Sequence, residues 1–178
     1  MFKRIVVGLD GSDHARKALE IAIELARIHK SDLVLVHALS DAPLTDAERN
    51  LAETEFGFRG LEEKPPVTAV ANAGADPRLG FSVVSERPLH ASLRARTEIA
   101  QSLLDDTRRD TLQRGVESVE TSIENGDPAD VILGVAKAKD ADLIVIGSRG
   151  LSDLQGLVFG STSHKVAHRA GCTCLTVS

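Results

Sequence analysis

The chain has no tryptophan and no tyrosine among its 178 residues, and only five phenylalanines, two cysteines and one methionine. Without Trp or Tyr it lacks the usual platforms on which single-stranded bases stack. Basic charge is not in excess either: 26 acidic side chains against 21 Lys and Arg leave a formal net charge of -5. Such a balance offers no general attraction to phosphate polymers or anionic membranes, so nucleic acid is not an expected partner. No apolar run approaches the roughly 18–20 residues of a membrane span; the longest, Leu33–Leu39, is strand-sized and interrupted by His37. Met1-Phe2-Lys3-Arg4-Ile5 runs directly into a strand pattern instead of a secretory signal, and a cytoplasmic location is expected. Cys172 and Cys174, two apart in a strand pattern, would share one face and make a strained disulfide, so free thiols are expected. Finally, there is no Gly-x-x-x-x-Gly-Lys-Ser/Thr run, which removes the machinery of a P-loop hydrolase.

What the chain does have is alternation. Ile5–Asp10, Leu33–Leu39 and Leu143–Gly147 are short apolar runs of the kind that parallel strands covered on both faces require. Between them lie helical patterns. Ala15, Ala18, Leu19, Ala22, Leu25 and Ala26 form one stripe behind a Ser12 cap, and a helix is expected from about Pro88 to Arg114, with Leu93, Ala100, Leu103 and Leu104 inward and Gly115 as its stop. Val116–Glu124 alternates partly, as an edge strand does, and Asp127-Pro128 reads as the cap and first residue of another helix. A short helix from about Ser161 to Ala170 and a strand from Cys172 to Val177 close the series. The expected fold class is therefore α/β: a Rossmann-like three-layer sandwich on a five-stranded parallel sheet, in one domain over residues 1–178. If the first and fourth strands are neighbours, the loops starting at Asp10 and Gly147 share one crevice.

One stretch breaks the pattern. Residues 40 to 87 are far longer than an ordinary α/β connection of about 2–6 residues, and carry Pro43, Pro65, Pro66 and Pro77 together with Phe56, Phe58 and Phe81. Thr45-Asp46-Ala47-Glu48 fits a capping box within it. The segment reads as an insertion, either a tolerated surface loop or a lid over the ligand end of the sheet.

Past the fourth strand comes Gly147-Ser148-Arg149-Gly150, then nine residues after Gly150, Gly160-Ser161-Thr162-Ser163. Glycines there let backbone approach a bulky anion, and the helix that follows presents free N–H groups to it. The spacing resembles the nucleotide-binding signature of the universal stress protein family. Asp10-Gly11-Ser12, His37-Ala38 and Gly126-Asp127-Pro128 resemble that family's other pocket segments in the same order.

The resemblance implies a stress-response switch that binds ATP, with magnesium beside the phosphates and strand order 3-2-1-4-5, whose nucleotide occupancy alters its shape or its association with an unidentified protein partner; the alternative is a nucleotide-free interaction module. The resemblance places Asp10 and the backbone of Ala38 at the adenine end, Gly126 in the pocket lining, and Gly147, Gly150, Gly160, Ser161, Thr162 and Ser163 around ribose and phosphates. Arg149, inside the loop, could offset phosphate charge. Asp13, His14, Asp153 and His164 form no recognisable catalytic set, so any ATP hydrolysis or autophosphorylation is expected to be slow. His37 reads as a hydrogen-bonded histidine of the core. A homodimer through the final strand is also expected, and proline at Leu175 would oppose it if that N–H faces the partner.

Overall fold

The computed structural model describes residues 2–39, 53–54, 87–150 and 160–178. Most of the 40–87 insertion, including its capping box, and residues 151–159 with Asp153 lie outside the described residues. The elements run β1 (Arg4–Gly8), α1 (Asp13–His29), β2 (Asp32–Leu39), α2 (Arg87–Gln113), β3 (Val119–Asn125), α3 (Pro128–Ala138), β4 (Leu143–Gly147), α4 (Ser161–Arg169) and β5 (Thr173–Val177). The chain divides into two compact units, one of residues 1–42 and 100–178, the other of residues 43–99. The first unit holds the whole sheet. In the second, the described part is dominated by the amino-terminal half of α2, where Ala95 is fully buried.

All strand pairs are parallel and the order is β3-β2-β1-β4-β5. Strand residues alternate between faces, so a sheet covered on both sides must be apolar at every position. Ile5, Val7, Leu33, Leu35, Leu143 and Val145 pack with Ala18, Ala22 and Ile23 of α1 and Leu104 of α2. Val6, Val34, Val36, Ile144 and Ile146 pack on the opposite face with Ile132 and Val135 of α3 and Val166 of α4. A three-layer α/β sandwich results. Of the inward positions expected on α2, Ala100 and Leu104 are buried, Leu93 lies outside the described side chains, and Leu103 is 37% exposed. Leu103 directly follows two outward positions and precedes Leu104, which takes the core-facing slot of that turn.

Sequence-local signals set the helix starts. Ser12 Oγ accepts from Ala15 N at 3.2 Å, and Asp127 Oδ1 accepts from Ala129 N at 3.0 Å with Pro128 opening α3. At the amino edge of the sheet, Asp142 Oδ2 accepts from the N–H groups of Lys3 and Arg4 at 2.7 and 3.0 Å. Those two bonds hold the Asp142 carboxyl below the ordinary aspartate range.

Among the described residues β5 pairs only with β4. Its ladder is informative: Val177 O accepts from Ser148 N at 2.6 Å, so Val177 directs its backbone polar groups toward β4. Successive residues of a strand alternate in that direction, which turns Leu175 toward β4 as well and leaves Cys174 and Thr176 facing outward. The condition attached to proline at Leu175 therefore fails, because that N–H serves the sheet within the subunit. Cys172 and Cys174 are free and half-buried against the same core layer, as expected, and burial raises both thiols above the usual cysteine value.

Candidate functional site

In a parallel sheet every strand ends at the same edge, and the helix that follows it begins there. β1 and β4 are neighbours, paired from Ile5 with Leu143 to Val7 with Val145, yet their connections leave in opposite directions, α1 toward β2 and α4 toward β5. Loops part at such a point and leave a crevice.

Asp10 sits at its β1 side. One carboxylate oxygen, Oδ1, accepts from Ser12 N at 2.9 Å and so shapes the turn into α1. The other, Oδ2, faces the β4 loop so closely that a Cβ on Gly150 would lie 2.7 Å from it. The two loops therefore meet. Gly147 has a different reason to lack a side chain: a Cβ there would lie 2.8 Å from His14 C and 2.9 Å from Ala15 N, backbone of the first turn of α1. Its smallness serves close packing of helix on strand more than approach by a ligand.

Ser148, which no sequence motif marks, organises the far side. Its carbonyl accepts from Gly160 N at 2.7 Å and from Ser163 Oγ at 2.8 Å, while its own N–H reaches Val177. The start of the β4 loop is thereby bonded to the start of α4. Ser163 is 2% exposed, and its hydroxyl proton is directed to the carbonyls of Ser148 and Gly160. Gly160 is the N-cap of α4 and, as a glycine, offers no side chain to the first-turn N–H groups, and no acidic residue stands in that turn. Ser161 is exposed and Thr162 half-buried beside them. A helix start with a glycine N-cap and a positive dipole end suits an anion in electrostatic terms.

Asp10, Gly147, Gly150 and residues 160–163 are thus joined in one place, and Arg149, half-buried, lies between Ser148 and Gly150 in the same loop. Ala38 and Gly126 stand further along the same edge, at the ends of β2 and β3. Ala38 is in register with Glu124, and Gly126 N donates to Leu39 O at 3.2 Å. Lys165 Nζ spans from α4 to Asp127 Oδ2 at 2.8 Å, tying the Gly126 loop to α4 and holding the Asp127 carboxyl below its ordinary value. His37 Nδ1 is 2.9 Å from Leu9 O, a structural bond between β2 and the end of β1. Asp13 pairs with Arg16 on the exposed face of α1. Among the described residues, no three His, Cys, Asp or Glu side chains converge on a metal position, and no helix is long and apolar enough to cross a membrane.

The model of the universal stress protein family matches residues 1–178. The chain belongs to that family. Universal stress protein YxiE of Bacillus subtilis is 30% identical over 180 residues, covering 99% of both chains. A universal stress protein of Thermus aquaticus is 32% identical over 177 residues, again covering 99% of both. Of solved structures, universal stress protein UspA from Lactobacillus plantarum superposes with a TM-score of 0.69 at 21% identity, over 99% of this chain and 97% of that one. More distant universal stress protein folds have been solved with adenine nucleotides. One is in complex with cAMP, with a TM-score of 0.59 and 22% identity, covering 99% and 97% of the two chains. Another, from Arabidopsis thaliana, has AMP bound, with a TM-score of 0.55 and 18% identity, covering 98% and 90%.

Proposed function

We propose that this universal stress protein binds ATP in the crevice outside β1 and β4 and acts in the cytoplasm as a stress-response switch, its conformation or association following nucleotide occupancy. The observation that carries the reading is the meeting of Asp10 with the Gly150 loop beside an α4 start whose N-cap, Gly160, has no side chain to cap it. Structures of the same fold with cAMP and AMP support it as a class of ligand.

Asp10 and the Ala38 backbone would take the adenine end and Gly126 would line the pocket. Gly147, Arg149, Gly150, Gly160, Ser161, Thr162 and Ser163 would surround ribose and phosphates. Within that set the roles differ. The N–H groups of the first turn of α4 and the hydroxyls of Ser161 and Thr162 would meet phosphate, while Gly147 and Ser163 hold the loop in place. Magnesium would be carried by the phosphates and water, as suits an ion that keeps its hydration and needs one or two carboxylates at most. ATP could shift a switch only by binding one of its states more tightly. The outer edge of β5 would pair with the same strand of a second subunit, antiparallel and two-fold symmetric, to form a homodimer.

Calorimetric titration of ATP into Gly160→Val tests the placement. A Cβ at Gly160 already lies 3.2 Å from Ser148 O, so a branched side chain would part the loop from α4 at the phosphate end. Losing one charge-assisted hydrogen bond costs about 1.5–3 kcal/mol, which corresponds to about ten- to a hundredfold in affinity. Unchanged affinity in a folded Gly160→Val protein would refute the assignment.

A further inference from the structure

The exposed face of α4 carries a feature that the crevice does not use. His164 and His168 stand four residues apart on one helical face, both exposed, with ring centroids 4.4 Å apart and ring planes at 55°. Of the chain's six histidines no other two have this spacing. His-x-x-x-His on a helix is the geometry by which zinc proteases present two imidazoles to one ion, because i and i+4 lie one above the other. A metal–nitrogen bond is about 2.0–2.1 Å, so rings this close can each turn a nitrogen to a common ion.

The neighbouring charges do not oppose a dication. Lys165 and Arg169, one residue further round the helix, are turned toward α3, where they pair with Asp127 at 2.8 Å and Asp130 at 2.7 Å. The third side of the helix is the buried one, through Ser163 and Val166. Both helix cations beside the histidines therefore have an acidic partner, and the two imidazoles are exposed.

We propose that His164 and His168 form a surface bidentate site for a borderline transition-metal dication such as copper(II), nickel(II) or zinc(II), with water completing the coordination. Two imidazole nitrogens select such ions over magnesium and calcium, which prefer oxygen, and affinity should follow copper above nickel and zinc. The site is independent of the nucleotide reading, since neither ring belongs to the crevice.

Titration of the untagged full chain with nickel or copper chloride, in the absence of nucleotide, tests it. One ion should bind per chain, copper more tightly than nickel or zinc, and excess magnesium should not compete. Losing a residue that merely supports a ligand weakens metal affinity about 10–100-fold, so losing a ligand itself, in His164→Ala or in His168→Ala, should weaken it at least as much. Both side chains are exposed, so the variants should retain the wild-type circular dichroism. Failure to bind nickel at about 1 mM, the weak end of specific affinity, or full affinity in either variant would overturn the site.

Discussion

At the scale of single residues, two glycines of one loop differ in what a methyl group would do to them. A Cβ on Gly147 meets backbone atoms of α1 at 2.8–2.9 Å, which can yield only if helix and strand move apart. A Cβ on Gly150 meets Asp10 Oδ2, the free end of a side chain that can rotate. Gly147→Ala should therefore destabilise the fold by about 1–3 kcal/mol, the usual range for overpacking, whereas Gly150→Ala should leave stability near wild type and displace the Asp10 carboxylate. Urea unfolding of the two variants separates the cases, and equal losses in both would contradict the geometry. The glycine spacing is visible in the sequence, but it does not say which glycine answers to a helix and which to a carboxylate.

At the scale of elements, α3 depends on its cap. Asp127 accepts from Ala129 N and Asp130 N and pairs with Lys165, and the lysine is the main cause of its lowered pKa. Asp127→Ala should cost about 0.5–2 kcal/mol at neutral pH, as loss of an N-cap does. Folded Asp127 holds its proton more weakly than the unfolded chain, whose aspartates titrate near about 3.9. Its contribution is thus complete above that value and is lost as pH falls through the lower folded one. Glu20, held low by its two bonds to Arg114 at 2.7 and 2.5 Å, acts in the same direction. The stability gap between wild type and Asp127→Ala should hold above about pH 4 and narrow as pH falls further in denaturant titrations; a gap independent of pH would remove the carboxylate from the explanation. Asp127-Pro128 announced this cap in the sequence, while Lys165, 38 residues away, is brought to it only by the packing of α4 on α3.

At the scale of the whole molecule, the proposed homodimer rests on the outer edge of β5. Cys174 and Thr176 direct N–H and C=O groups away from β4, and a row that pairs with no strand among the described residues is a template for another strand. Thr176→Pro should remove an outward donor and weaken the proposed dimer while sparing the sheet. Leu175→Pro should instead break the β4–β5 ladder and cost stability in any oligomeric state. Light scattering across micromolar concentrations, paired with thermal unfolding, distinguishes them. A monomeric wild type would refute the dimer, and a dimer indifferent to Thr176→Pro would place the interface on another surface.

The sequence by itself determined the elements, their parallel pairing and the family, because continuous apolar strands, helical stripes and caps at Ser12 and Asp127 are local signals that agree with one another. It also marked Gly147, Gly150 and Gly160 by a spacing, and Asp10 by a motif, that resemble those of the family. Only the tertiary structure decided that Gly147 is small to admit α1, that Ser148 bonds the loop to α4, that Leu103 faces outward and that Leu175 faces β4. It also decided that Lys165 and Arg169 turn to α3, leaving His164 and His168 together on the open face of α4. Each of these depends on which groups meet across elements distant in sequence, and periodicity along one element carries no information about its neighbour.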